Sequence, residues 1–300
     1  MLRARFFTAL ASIVMAPLAL AQGLGSPEIR SQALGDGFHV LFGPGAGNML
    51  VSIGDSGVLL VDDGVPAIVD AYRARIVELG GGDIDLAINT HWHFDHADGN
   101  QVLGPDGVQL VAHENSRQMM MQDNLINLVS QTFDQPAYAP EAWPEITYDT
   151  TMRIHFNGER IDLMHFGPAH TTGDTAVIFR DRNLVHLGDV FNMGGYPFID
   201  ADNGGSLEGL IAFCERVLAE IEPGATVIPG HGGVSDYQGL ADYIAMLSEI
   251  RDSLSSLIED GASLEQIVAA GPTADWDEVR GDPMMLLNRA YASMTGGETP

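Results

Sequence analysis

Short apolar runs separated by turn residues dominate the first part of the chain. In HVLFGPGAGNMLVSIGDSGVLLVDDG, residues 39–64, Gly, Pro and Asp interrupt the runs, which predicts hairpins. Pro66 then opens a helical pattern through Leu79, and three glycines end it. Residues 86–90 form a compact apolar run that predicts a strand. The opening third therefore combines strands with a helix.

The same two patterns alternate through the rest of the chain. A helix is predicted from Glu114 to about Ser130, and residues 133–143 are expected to form a long loop because they show no period. Strand patterns return in residues 153–166, where Asn157-Gly158 predicts a tight hairpin turn, and in residues 175–189 and 225–233. After His231 the pattern is mainly helical, and about the last twenty residues show no clear period. An α+β fold is expected.

Two stretches resemble each other in layout. VSIGDSGVLLVDDG, residues 51–64, and VIFRDRNLVHLGDV, residues 177–190, each contain a strand, a tight turn, a strand and an acidic residue at the exit. This weak similarity suggests two related halves of a single domain. We expect that domain to span residues 22–300, with a helical C-terminal part.

The N-terminal 21 residues have the composition of a secretory signal peptide. Arg3 and Arg5 precede an apolar run that ends in Ala19-Leu20-Ala21, so cleavage is expected before Gln22. A membrane anchor is the alternative, but the run is short, contains Pro17 and lacks a flanking charge cluster. We therefore predict a periplasmic or secreted protein without a membrane anchor after cleavage.

The charge of the chain excludes some partners. The formal charge is −27, and it becomes −29 without Arg3 and Arg5, so nucleic acid is not an expected partner. The chain contains no lysine, so a substrate anion must be held by arginine, a metal or a helix N-terminus. Cys214 is the only cysteine, and its helical, apolar neighbourhood favours a buried thiol over a nucleophile.

The segment NTHWHFDHADGN, residues 89–100, is rich in metal-binding side chains. His91 and His93 lie two apart, so in an extended segment both side chains face the same side and can bind one ion. His170 can supply a third nitrogen to that ion. Asp95 and His96 follow on a turn, where they can bind a second ion with His231. Asp189 has the chemistry to bridge the two.

These candidate ligands share a position in the predicted fold. His91, His170, Asp189 and His231 each follow a short apolar strand, and strand ends at one sheet edge can converge on one cleft. Three terminal ligands for each ion leave room for water, as in catalytic sites. Nitrogen and oxygen ligands without thiolate favour two zinc ions, with iron or manganese as alternatives.

The motifs THWHFDH, GPAHTTGD, HLGDVF and PGHG occur in the order typical of the metallo-β-lactamase superfamily, which residues 38–271 resemble. The resemblance implies a four-layer αββα sandwich with metals at one edge. It also implies that Asp62, in LLVDDG, orients the metal-binding loop from behind the ligands. True β-lactamases of the best-known subclass have cysteine and a later lysine where this chain has Asp189 and Asn192. The aspartate resembles glyoxalase II and lactonases instead.

The expected reaction is hydrolysis. We expect a hydroxide shared by two zinc ions to attack a substrate carbonyl, with Asp95 transferring the proton to the leaving atom. A β-lactam-type cyclic amide is the first expected small-molecule substrate, and a lactone or a glyoxalase-like thioester is the alternative. A non-catalytic metal-binding protein is less favoured because the ligand set is complete. Side chains expected to line the substrate pocket are Trp92, Phe94, Asn192 and Tyr196.

Overall fold

The structure is a computed structural model that describes residues 27–296. The predicted signal peptide lies outside the described residues. The strands, in chain order, are β1 (Arg30–Gly35), β2 (Phe38–Phe42), β3 (Met49–Gly54), β4 (Gly57–Val61), β5 (Ile84–Ile88), β6 (Gln109–His113), β7 (Asn124–Asn127), β8 (Thr132–Gln135), β9 (Ile146–Tyr148), β10 (Thr151–Phe156), β11 (Glu159–Met164), β12 (Ala176–Phe179), β13 (Leu184–His186), β14 (Thr226–Ile228) and β15 (Ser235–Asp236).

The helices range in length from 4 to 23 residues. They are α1 (Val69–Glu78), α2 (Phe94–Ala97), α3 (Asn100–Leu103), α4 (Glu114–Met120), α5 (Leu207–Glu220), α6 (Tyr237–Glu259), α7 (Leu264–Ala270), α8 (Asp277–Arg280) and α9 (Met284–Thr295). Four 3-10 turns accompany them, at Pro66–Ile68, Pro140–Ala142, Gly188–Val190 and Ala201–Asn203. Within residues 27–296, none of the helices has the length and apolar character needed to cross a membrane.

Two sheets face each other across an apolar core. The first has the order β1-β2-β3-β4-β5-β6-β9, and the second has the order β10-β11-β12-β13-β14-β15. Alternate side chains point to opposite faces of a strand, so Leu59 packs between the sheets while its neighbour Leu60 packs outward, towards α1. In the second sheet, Val177 packs inward and Ile178 packs towards α5, α6 and α9.

Helices therefore cover the outer face of each sheet, and the layers follow the order αββα. The expected α+β sandwich is confirmed. The two similar stretches form matching units: β3–β4 and β12–β13 are antiparallel hairpins, and each continues into a parallel pairing, β4 with β5 and β13 with β14. The strands that lead to the candidate ligands are thus paired in the same way in both sheets.

The turn at Asn157-Gly158 is confirmed. Phe156 pairs with Glu159, so the loop has two residues, and both have positive φ, 50° for Asn157 and 78° for Gly158. The expected helix after Pro66 is also confirmed, as a 3-10 turn that continues into α1. Cys214 is fully buried on α5, as predicted.

The prediction of a helix from Glu114 to about Ser130 was wrong beyond its first two turns. Helix α4 ends at Met120, and the side-chain amide of Asn124 donates to the carbonyls of Met119 and Gln122 at distances of 2.8 and 3.0 Å. These bonds satisfy carbonyls at the helix end. The next residues alternate between buried and exposed, and they form the β7–β8 hairpin.

Two other segments are more regular than expected. Phe133 belongs to β8, so the predicted loop begins only after Gln135 and contains one 3-10 turn. The apparently aperiodic C-terminus forms α8 and α9, and α9 buries Leu286, Leu287 and Ala290 against the helical layer. The spacing of these three residues is that of one helix face.

Candidate metal centre

Strand ends from both sheets bring the seven candidate ligands together. The chain reaches His91 three residues after β5, Asp189 three residues after β13 and His231 three residues after β14. The ligand atoms group within 4.8 Å of one another in three overlapping sets: His91, His93 and His170; His91, His96 and Asp189; and Asp95, His96 and His231. Each set could hold a metal ion.

Four buried imidazoles form the inner part of this cluster. The ring of His91 lies 4.9, 4.4 and 4.7 Å from the rings of His93, His96 and His170, measured between centroids. On each of the four rings, one nitrogen contacts an oxygen outside the cluster. These contacts are His91 Nδ1 to Thr90 Oγ1 (3.0 Å), His93 Nε2 to Asp200 Oδ2 (2.8 Å), His96 Nδ1 to Asp62 Oδ2 (2.8 Å) and His170 Nδ1 to the Phe198 carbonyl (2.9 Å).

These contacts determine which nitrogen of each ring is free for a metal. A carboxylate or carbonyl oxygen accepts, so the contacting nitrogens of His93, His96 and His170 carry the hydrogen. Thr90 donates its own hydroxyl hydrogen to Asp62, so its oxygen accepts from His91. The other nitrogen of every ring faces the shared centre, where a neutral imidazole would offer its lone pair to a metal.

Asp62 organises this region from a strained position. Its φ is 58°, in the left-handed region that side chains rarely adopt. Its carboxylate accepts from the Thr90 amide at 2.7 Å, from the Thr90 hydroxyl at 2.9 Å and from His96. It therefore aligns both the strand exit and one imidazole, in the place that the resemblance implied.

The remaining ligands form the more open part of the cluster. Asp189 Oδ1 lies 3.1 Å from His96 Nε2 and 3.3 Å from His231 Nε2, while its Oδ2 lies 3.8 Å from His170 Nε2. The two oxygens thus face different histidine groups, as a bridging carboxylate requires. Asp95 Oδ2 lies 3.1 Å from His231 Nε2. The side chain of His231 is 33% exposed and that of Asp95 is 18% exposed, so solvent reaches the cluster from their side.

Opposite charges within the cluster shift several pKa values. Burial works against protonation of His96, but Asp189, Asp95 and Asp62 together raise its pKa well above the usual value. Asp189 raises the pKa of His231 to about 10. Burial would raise the pKa of Asp189, yet His231 and His96 hold it well below the usual range. The carboxylates thus favour positive charge at the centre of the cluster.

The donor set fits divalent metal ions. His91 Nε2 is buried without a hydrogen-bond partner among the described residues. Buried polar atoms are usually hydrogen-bonded, and this nitrogen faces the other converging donors. All donors are nitrogen or oxygen, as zinc, iron and manganese sites use.

Two glycines let the backbone approach the ligands. A Cβ on Gly47 would overlap the ring of His96, and a Cβ on Gly230 would overlap Asp189 Oδ1. Gly47 also donates its amide to the carbonyl of Asp95 at 2.9 Å, which links the β2–β3 connection to the metal-binding turn. The PGHG sequence therefore contributes a histidine and also the space beside Asp189.

Several supporting residues were not identified from the sequence. Asp200 holds His93 from 107 positions away, within a stretch that has no ligand-type spacing. Asp174 accepts from the amide and hydroxyl of Thr171 at 2.8 Å and so stabilises the loop that carries His170. The GPAHTTGD motif did contain a signal for this contact, because an aspartate three residues after a threonine commonly forms such local bonds.

The expected pocket residues differ in their surroundings. The side chain of Trp92 is completely buried among apolar residues behind the turn that carries Asp95 and His96. Tyr196 is only 4% exposed, and its hydroxyl donates to Asp277 at 2.8 Å. Phe94 is half-buried and stacks on Phe133 of β8, with centroids 4.1 Å apart. Asn192 is half-buried and pairs with His231 through the backbone, so both remain beside the cluster.

A cavity of about 920 Å³ lies away from the cluster, between β1 and α1, where Arg30, Asp70 and Arg75 line it. None of the seven candidate ligands borders it. The convergence of ligand atoms therefore indicates the candidate site, and this cavity does not.

Comparison with known families agrees with this geometry. The model of the metallo-β-lactamase superfamily matches residues 42–247. The chain belongs to this superfamily. The match includes all seven candidate ligands and confirms the resemblance carried by the four motifs.

Curated relatives in the superfamily are distant and differ in named activity. The α subunit of a 2,4-dinitroanisole O-demethylase from Nocardioides is 25% identical over 143 residues, which are 47% of this chain and 40% of that protein. A bovine acyl-coenzyme A thioesterase is 24% identical over 49% of this chain and 55% of its own length. A probable metallo-hydrolase from Methanocaldococcus jannaschii is 24% identical over 59% of this chain and 84% of its own length. The matches thus span about half of the first two relatives.

Solved structures in the superfamily share the fold at low identity. A metallo-β-lactamase from Pontibacter korlensis has a TM-score of 0.60 and 16% identity, and it covers 74% of this chain and 99% of its own. A sec-alkylsulfatase from Pseudomonas has a TM-score of 0.66 and 14% identity, over 90% of this chain and 51% of its own. At these identities the comparison supports the superfamily fold alone.

We predict that Asp62→Asn weakens metal binding by about ten- to a hundredfold, because an amide cannot accept from Thr90 and His96 as the carboxylate does. Competition with a chromophoric chelator measures this affinity. Asp70→Asn, at an exposed position on α1, is the matched control and should bind metal as the unmodified protein does. Unchanged affinity in Asp62→Asn would show that Asp62 does not align the ligands.

We also predict that Gly230→Ala lowers metal content, because the added methyl group overlaps Asp189 Oδ1 and the backbone between Gly188 and Asp189, and so displaces the Asp189 carboxylate. Gly233→Ala is a close control, since no atom lies within 4 Å of its added Cβ. Elemental analysis after dialysis against micromolar zinc should show reduced metal only in Gly230→Ala. Full metal content in that variant would contradict the assigned position of Asp189.

Proposed function

We propose that the protein is an exported, binuclear zinc-dependent hydrolase that opens a carbonyl bond in a small molecule. Its first proposed substrate is a β-lactam-type cyclic amide, and the second is a lactone or thioester. The observation that carries the proposal is the convergence of seven nitrogen and oxygen donors, among which His91 Nε2 is buried without a hydrogen-bond partner in the described residues. Export to the periplasm or medium rests on the sequence of residues 1–21.

The proposed ligands divide into two groups with a shared carboxylate. His91, His93 and His170 would hold one ion, because their available nitrogens lie in one group. Asp95, His96 and His231 would hold the other. Asp189 would bridge the two ions, since its oxygens face His170 on one side and His96 with His231 on the other. Bound zinc ions would supply Lewis-acid activation of the substrate and of water.

Asp95 is the proposed proton carrier. Burial tends to raise its pKa, but His96 and His231 hold it below the usual value, so the ionised carboxylate is favoured. Its side chain is partly exposed beside the open face of the cluster. Asp95 would take a proton from the attacking water as its oxygen bonds to the carbonyl carbon, and would return that proton to the leaving nitrogen, oxygen or sulfur as the bond to the carbonyl carbon breaks.

Arg280 is a candidate for binding a substrate carboxylate in a chain without lysine. Its Nη1 donates to the Asn192 carbonyl at 3.0 Å, and Asn192 pairs with His231, the most exposed of the ligands. Among the described residues Arg280 forms no ion pair. Its charge is therefore available at the rim of the cluster, where the carboxylate of a β-lactam would require a cation.

The thioester alternative is supported by one relative. The bovine protein named an acyl-coenzyme A thioesterase matches 49% of this chain, and thioester hydrolysis needs the same carbonyl chemistry. Phe94 and Phe133 offer an apolar surface beside Asp95 for an acyl group. A protein that binds metal without catalysis is less favoured, because the proton carrier and the open face are both present.

We expect zinc-loaded protein to open the ring of a chromogenic cephalosporin, and we expect chelation or His93→Ala to abolish this activity because both remove the first ion. A simple lactone and an acyl thioester should be assayed in parallel. Activity on the lactone or the thioester without activity on the cephalosporin would support the second proposed substrate class. If fully metal-loaded protein hydrolyses none of the three, the proposed carbonyl hydrolase is refuted.

We further expect Arg280→Ala to raise KM for a carboxylate-bearing β-lactam by about tenfold, which corresponds to the loss of one charged hydrogen bond of about 1.4 kcal/mol. The value of kcat should change little. Two controls apply: an uncharged lactone, whose KM should be unaffected, and Arg251→Ala on α6, which removes an arginine that pairs with Asp252. Equal effects on charged and uncharged substrates would exclude carboxylate binding by Arg280.

A further inference from the structure

The segment comprising residues 198–205 supports two of the three histidines in the first ligand group. The carbonyl of Phe198 accepts from His170 Nδ1 at 2.9 Å, and Asp200 Oδ2 accepts from His93 Nε2 at 2.8 Å. The amide of Asp200 also donates to the His170 carbonyl at 3.0 Å. A shift of this segment would therefore move both imidazoles together.

The 198–205 segment has little regular structure of its own. It contains a single 3-10 turn, Ala201–Asn203, followed by Gly204 with a φ of 89°. The Asn203 side chain donates to both oxygens of Asp200 at 2.9 Å and to the Leu125 carbonyl of β7 at 3.0 Å. The turn must be held by contacts from other elements if Asp200 is to stay aligned with His93.

Arg289 of α9 provides one of those contacts from the opposite side. Its side chain is completely buried, and its Nη2 lies 2.6 Å from Asp202 Oδ1. The other oxygen of Asp202 accepts from the Asn127 amide of β7 at 3.0 Å. Asp202 therefore links the turn to both α9 and the β7–β8 hairpin.

Stability alone does not account for this arginine. Nε, Nη1 and Nη2 of Arg289 form no hydrogen bond within residues 27–296, so the ion pair with Asp202 only partly compensates the buried guanidinium. Apolar replacement of such buried ion pairs is often neutral or stabilising. What the ion pair does provide is a defined position for Asp202, and so for the turn that follows Asp200.

We propose that Arg289 is a positioning residue for the ion held by His91, His93 and His170. It fixes Asp202, which keeps the 3-10 turn in place and leaves the Asp200 carboxylate aligned with His93 Nε2. The inference rests on the proposed function, because it concerns the same metal centre. It assigns to the C-terminal helix a role in metal affinity in addition to its packing.

The test measures metal affinity and stability in the full chain. Arg289→Met removes the charge and keeps much of the buried volume, and Arg289→Lys restores a charge. Leu287→Ala, which removes buried side-chain volume from the same helix, is the control for general loosening of α9. We expect Arg289→Met to weaken binding of the first zinc ion by about three- to tenfold, without a matching fall in Tm, and Arg289→Lys to recover part of the loss.

Two further readouts separate positioning from a general structural effect. The ligand-field bands of the Co(II)-substituted protein should shift in Arg289→Met and stay unchanged in Leu287→Ala. With Asp200→Asn already present, Arg289→Met should have little additional effect on zinc affinity, because the carboxylate through which it acts is gone. Additive losses in the double variant would indicate that Arg289 does not act through Asp200.

The inference is overturned if Arg289→Met binds zinc and Co(II) as the unmodified protein does, or if Leu287→Ala weakens zinc binding equally. The inference is also overturned if the losses of zinc affinity are additive in the double variant. These results would leave the proposed function intact, since the unmodified protein would still bind metal and hydrolyse substrate. An unmodified protein that binds no zinc would refute both proposals at once.

Discussion

Four buried imidazoles, each fixed by an oxygen from outside the cluster, are the constraint on which the rest of the site depends. A buried ring nitrogen without a partner is costly, so every N–H of the group needs an acceptor. The acceptors come from Thr90, Asp62, Asp200 and the Phe198 carbonyl, which lie in three separate parts of the chain. Folding must therefore bring these parts together before the opposite nitrogens can converge.

Both sheets bring the candidate ligands together through the same strand topology. In each sheet an antiparallel hairpin is followed by a strand that pairs in parallel, so that the chain leaves two neighbouring strands at the same edge. In the first sheet those exits carry Asp62 and His91. In the second they carry Asp189 and His231. The two edges meet because the sheets pack face to face, and the candidate metal centre lies where they meet.

The local sequence indicated the candidate metal ligands, but few of the residues that hold those ligands in position. The ligands around residues 91–96 could be assigned because histidine spacing and extended backbone determine which side chains share a side. Asp62 could be assigned only through a resemblance. Asp200 could not, because its partner His93 is 107 positions away and no periodic pattern connects them. For the fold, alternation predicted the hairpins, while the stop of α4 at Met120 depends on a side-chain cap that composition does not indicate.

The same contrast explains why Trp92 and Phe94, both predicted to line the substrate pocket, have different surroundings. Trp92 and Phe94 flank His93, and in an extended segment both would be expected on the side away from it. The helical turn α2 begins at Phe94 and rotates that side chain out towards Phe133, whereas Trp92 stays behind the turn in an apolar cluster. A large buried aromatic there stabilises the turn that holds Asp95 and His96. Backbone geometry therefore buries Trp92 within the apolar cluster and leaves Phe94 partly exposed against it.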